Sequence, residues 1–141
     1  MTPEIEALWS RAIRSLWTAQ TVAGEDPDSA ASRAYYAAFH AVTVLFKFEG
    51  RDFQRHTALE AAVHRDLVKA GKWPATLGAA FSDLAKMRAA ADYGATIRLT
   101  PADAGAAIAK ARLILSAVRQ LSPESLPDEA QWPKKDDPSE G

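Results

Sequence analysis

At 141 residues, with 48% hydrophobic and 25% charged side chains, the chain has the balance of one folded globular domain; a disordered polymer and two full domains are both excluded. It contains no cysteine, which removes disulfides, thiolate zinc sites and a cysteine nucleophile. The net charge of −1 argues against a strongly basic nucleic-acid binder, and its uneven spread, six acidic residues against two lysines after Leu121 and 15 basic against 12 acidic before it, is too weak to diagnose one.

The opening Met1-Thr2-Pro3-Glu4 lacks the basic and apolar regions of a signal peptide, and no stretch of ~18 residues is apolar and uncharged, so a soluble cytoplasmic protein is expected. Ile5, Leu8, Trp9, Ala12, Ile13, Leu16 and Trp17 recur at the spacing of one broad apolar face and predict a first helix from about Pro3 to Val22. Gly24 to Pro27 interrupts it. Asp26 and Pro27 read as cap and first residue of a second helix, which runs to about Glu49 and is closed by Gly50. Thr57 with Glu60 resembles a capping box for a third, shorter helix carrying Leu59, Val63 and Leu67 and stopping at Gly71. A fourth helix, from about Pro74 to Tyr93, repeats Leu77, Phe81 and Leu84 on one side. Thr100-Pro101 opens a fifth, striped by Ala104, Ala107, Ile108, Ala111, Ile114, Leu115, Val118 and Leu121. No segment alternates with a strand period, so an all-α body over residues 1–121 is expected, with its leucines, isoleucines and aromatics in the core. From 122 to 141, Pro123, Pro127, Pro133 and Pro138 among charges predict a disordered or loosely attached acidic tail.

The second helix carries the residues of chemical interest. At ~100° per residue Arg33, Tyr36, His40, Thr43 and Lys47 share one narrow arc, while Ala31, Tyr35, Ala38, Phe39, Val42, Leu45 and Phe46 face the opposite way. Its flanks, Ala34, Ala37, Ala41, Val44 and Phe48, are apolar too. The helix is therefore expected at the centre of the bundle, its polar seam opening on a groove or an interface. Arg33 and His40 lie two turns apart, ~10 Å between Cα atoms, so both side chains can converge on one phosphate. An imidazole can take the proton of a 2′-hydroxyl near neutral pH, and a guanidinium can hold the phosphate through two parallel hydrogen bonds. The same pair also arises when an arginine snorkels to solvent and a histidine is satisfied between helices, and spacing alone leaves both readings open. On the fourth helix Arg88 falls in the apolar stripe, where Asp92 one turn later is its expected partner; with Tyr93 they form either a structural lock or the far wall of the groove. His56 and His64 project ~80° from each other, cannot chelate one metal, and are expected at the surface.

Three segments in order, Ser32-Arg33-Ala34-Tyr35-Tyr36-Ala37-Ala38-Phe39-His40-Ala41, then His56 after the Gly50 turn, then Arg88-Ala89-Ala90-Ala91-Asp92-Tyr93, together resemble the HEPN superfamily. The resemblance spans Ile5 to Leu121 and is nearest to the small stand-alone bacterial and archaeal members. It implies an up-and-down bundle of four to five helices, commonly a homodimer that brings two polar sites together, and a minimal nucleotidyltransferase partner acting as antitoxin. Active HEPN ribonucleases carry an Arg followed, after four to six residues, by a His; Arg33 and His40, with six residues between them, match this. Many have a polar residue after the Arg, where this chain has Ala34, and some have a Tyr two residues after the His, where Val42 stands. Three expectations follow. The first is a HEPN-type protein acting on RNA, a metal-independent and cofactor-free endoribonuclease or toxin, with His40 as general base or acid and Arg33 as phosphate clamp; Tyr36, Arg88, Asp92, Tyr93 and His56 support them. The second is a non-catalytic module that binds a nucleotide or pairs with the nucleotidyltransferase, a reading that Ala34 and the near-neutral charge favour. The third is a dimerising scaffold in which Arg33, His40, Arg88 and Asp92 tie helices together.

Overall fold

Side chains set most of the helix starts. Thr2 accepts from the Ile5 amide (3.2 Å) to open α1 (Pro3–Val22), and Asp26 accepts from the Ser29 amide (3.2 Å) to open α2 (Pro27–Lys47). At α5 (Pro101–Leu121) Thr100 and Asp103 bond each other's amides, at 3.1 and 2.9 Å, in a reciprocal capping box. Between them lie α3 (His56–Ala62), which continues into a π-helical stretch (Val63–Val68), and α4 (Ala75–Tyr93). The computed structural model describes residues 1–93 and 98–131, and these form the expected all-α bundle, with no strand among them.

Two glycines close helices by the same device. Gly50 (φ 72°) follows α2, where the Arg51 amide reaches back to the Phe46 carbonyl and the Gly50 amide to Lys47; Gly71 (φ 80°) follows the π-helical stretch, with Lys72 reaching Leu67 and Gly71 reaching Val68. Both are Schellman closures that need a left-handed residue. The capping box expected at Thr57 does not form. Helix α3 begins two residues earlier than that cap implies, at His56, and its N-cap Arg55 makes no side-chain bond. The Glu60 carboxylate instead accepts from the Ser82 hydroxyl of α4 (2.9 Å), which outcompetes a local bond to the backbone.

Helix α2 is central, as its apolar flanks imply, and packs against α1, α4 and α5. Ala30, Ala31, Ala34, Ala37, Ala38 and Ala41 are fully buried and let the neighbouring helices close in, while Trp9, Tyr35, Phe46 and Phe81 fill the larger gaps. His64 is not a surface residue. Its Nε2 lies 2.8 Å from Ser82 Oγ, and because that hydroxyl donates to Glu60, His64 is the donor in this chain of bonds. Gly78 of α4 makes room for it: a Cβ there would stand 2.8 Å from Val68 Cγ2 and 3.1 Å from the His64 ring.

The segment after α5 also departs from expectation over its described part. Leu126 is 2% exposed, Trp9 Nε1 donates to the Pro127 carbonyl (2.8 Å), Arg119 Nε donates to the Leu126 carbonyl (2.9 Å), and Glu129 accepts from Arg112 (2.8 Å) and Gln20 (3.2 Å). Residues up to Gln131 therefore form a strap across α1 and α5. Composition reads the segment as polar because one leucine and a few carbonyls carry the attachment. Residues 132–141, with Pro133 and Pro138, lie outside the described residues. No described helix is long and apolar enough to cross a membrane.

Candidate functional site

The first half of α2 and the last turn of α4 enclose a cleft of about 350 Å³, lined by Asp28, Ser29, Ser32, Arg33, Tyr36, Ala91 and Asp92. Helical spacing puts Ser29, Ser32, Arg33 and Tyr36 on one side of α2, and α4 supplies the opposite wall. Ser32 Oγ donates to Asp92 Oδ1 at 2.7 Å, tying the helices across the floor. Arg88 reaches the other oxygen of Asp92, but at 3.5 Å, and its guanidinium lies over the Tyr35 ring, 5.1 Å from the centroid. The expected Arg88–Asp92 pair is thus present and loose, and Arg88 Nε is buried with no hydrogen-bond partner among the described residues. Asp28 is committed to the chain that enters α5, through the Leu99 amide (3.0 Å) and Arg98 (3.5 Å).

Arg33 is exposed and has no hydrogen-bond or ion-pair partner among the described residues, so its guanidinium is free for a ligand. Farther along α2, His40 sits half-buried with its ring 6.2 Å from Tyr36 and 5.7 Å from Phe39. Burial, then Arg11, Arg33 and His56 in turn, oppose a positive charge there and push its pKa down to about 4. At neutral pH the imidazole is uncharged, the form able to accept a proton. Its Nδ1 is buried and has no hydrogen-bond partner among the described residues.

His56 belongs to the same cluster and not to the open surface. Its Nδ1 lies 3.2 Å from the Tyr35 hydroxyl, and its ring stacks 4.4 Å from Phe39 and 5.9 Å from Tyr36. Burial and then Arg88 hold its pKa below the usual histidine value. The buried Tyr35 phenol is pushed up to about 12 by loss of solvent, which outweighs the field of Arg88, so it stays protonated.

Tyr36 is the junction of the arrangement. Arg33 and Asp92 share the cleft with it; His40 and His56 flank its ring; Arg88 lies behind, over Tyr35. Tyr93 is 78% exposed at the end of α4 and does not line the cleft. The lower seam is occupied otherwise: Thr43 bonds back to the Phe39 carbonyl (2.7 Å), and Lys47 pairs with Glu4 and Asp52. Tyr35 and Phe39, expected on the face away from the seam, both reach its histidines. Arg11 of α1 was not foreseen at all, since only the docking of α1 on α2 brings its charge to His40. Among the described residues, no group of three or more His, Asp or Glu is placed to hold a metal ion.

The family model of the HEPN domain matches residues 5–121 of this chain. The UPF0332 protein of Thermotoga maritima is 33% identical to it over 93 residues, which cover 66% of this chain and 70% of that relative.

Proposed function

Because the chain belongs to the HEPN family, we propose that its α2 seam cleaves RNA without a metal. The observation that carries this reading is an uncharged His40 on the same face of α2 as an Arg33 that has no hydrogen-bond or ion-pair partner among the described residues. Arg33 clamps the scissile phosphate through parallel hydrogen bonds. His40 takes the proton of the 2′-hydroxyl as the O2′–P bond forms and the P–O5′ bond breaks; the departing 5′-oxygen takes a proton from solvent, leaving a 2′,3′-cyclic phosphate. His40 is kept neutral by burial and then by Arg11 and Arg33; the arriving phosphodiester charge favours its protonated form, so the proton is accepted more readily in the complex than in the free protein. Such a nuclease would work in the cytoplasm as a homodimer, restrained as a toxin by a nucleotidyltransferase partner.

The test is cleavage of a mixed-sequence single-stranded RNA in EDTA. Wild type leaves cyclic phosphate ends, and His40→Ala, purified identically, loses ~10²–10⁴ of the rate while keeping its helical content. Equal activity in both proteins would dismiss His40 as the base. One observation favours a second reading, a non-catalytic module that binds a nucleotide or the nucleotidyltransferase: among the described residues no group holds Nδ1 of His40, whereas a working base is usually oriented through its other nitrogen. Tight nucleotide binding with no cleavage by either protein would select that reading.

A further inference from the structure

We propose that His56 is a second phosphate-binding residue of the seam, donating from Nε2–H, and that Tyr35 is the positioning residue that fixes it in that tautomer. The proposal rests on RNA or nucleotide binding at the seam but not on cleavage there.

The direction of the Tyr35–His56 bond decides the tautomer. The Tyr35 side chain is 1% exposed, and His56 Nδ1 at 3.2 Å is the partner of its hydroxyl among the described residues. If Tyr35 accepted from an Nδ1–H, its own O–H would be buried with nowhere to go, at a cost of about 1–3 kcal/mol. Donating satisfies it. Nδ1 is then the bare nitrogen and the ring proton sits on Nε2. The imidazole packs on Phe39, 4.4 Å away at a 44° tilt, and meets edge-on the Tyr36 ring that also borders His40. Nε2 has no protein partner among the described residues, so its proton is available to a ligand.

The chemistry divides accordingly. Burial, and then Arg88 over the Tyr35 ring, disfavours a second proton on His56. His56 therefore acts as a neutral donor. It hydrogen-bonds a non-bridging phosphate oxygen and transfers no proton, because a neutral imidazole is too weak an acid to release one near pH 7. His40 and His56 thus differ in role although both are uncharged: Nδ1 of His40 is orphaned, whereas Nδ1 of His56 is fixed by a phenol.

The experiment is a long-range proton–nitrogen correlation spectrum of the histidine rings in the full chain, with and without a non-cleavable 2′-deoxy oligonucleotide. Expected in the wild type is a single Nε2–H form of His56 whose Nε2 shifts on oligonucleotide addition, and in Tyr35→Phe a mixture of tautomers with about tenfold weaker binding. His56→Leu should weaken binding equally. His56→Gln should restore most of it, because its amide can accept from Tyr35 and donate to phosphate, a rescue that a packing role would not give. An Nδ1–H form in the wild type, an unshifted Nε2 in the complex, or no difference between Leu and Gln would overturn the proposal. Binding of this probe together with no cleavage of the matching all-ribose strand would sink the nuclease reading and leave this one standing.

Discussion

Burial, reinforced by Arg11 and Arg33 nearby, keeps a proton off His40, and this gives the residue two pH signatures. If it is the base, kcat/KM holds steady from neutral pH downward and falls only as pH drops through about 4, where the free protein's His40 becomes protonated. The limb in kcat lies higher, since bound phosphate raises that pKa; a kcat/KM limb near 6.5 would show that His40 is not the titrating group. Stability carries the same sign. The unfolded chain binds a proton below about pH 6.5 that folded His40 refuses until about 4, so folding free energy is lost as pH falls through that window. Because His40 is only half-buried, solvent screening holds the loss to the order of 1–2 kcal/mol. Thermal melts between pH 7 and 5 should show this slope in wild type and a shallower one in His40→Gln, with His56 contributing the remainder in the same direction.

At the scale of elements, Gly78 is where α4 meets the π-helical stretch. Alanine is the better helix former by about 1 kcal/mol, yet its methyl would stand 2.8 Å from Val68 Cγ2, a short branched side chain with little freedom to move. Gly78→Ala should therefore destabilise, by about 1–3 kcal/mol in chemical denaturation, and weaken the His64–Ser82–Glu60 chain. The Ser32–Asp92 tie is partly exposed, so Asp92→Ala should cost about 1 kcal/mol, less than a fully buried pair, while reshaping the cleft. The helices themselves and the α2 seam were legible in the sequence, because a 3.6-residue period and Asp26, Thr100, Gly50 and Gly71 are local signals. What joins one helix to another was not. Tyr35 counts as core by its angle on α2, and only the position of His56 after the α2–α3 turn gives its hydroxyl a partner. Arg11 reaches His40 in the same way, and Glu60, locally a capping residue, is claimed by Ser82.

Across the whole molecule, the bundle is completed by the strap. Leu126→Ala should cost about 2–4 kcal/mol by emptying a buried site between α1 and α5, and it should lower the melting temperature without changing RNA cleavage, since the strap residues do not line the cleft. Loss of activity at unchanged helicity would mean that the two faces communicate. Pro127 also gives the strap an internal clock. Its carbonyl holds the indole N–H of fully buried Trp9, so that proton can exchange with heavy water only when the strap lifts or the bundle opens. Comparing its exchange rate with that of the α2 backbone amides separates the two events. A Trp9 indole that exchanges orders of magnitude sooner than the α2 core would reveal a peeling motion of the strap alone; matching rates would make strap and bundle one cooperative unit.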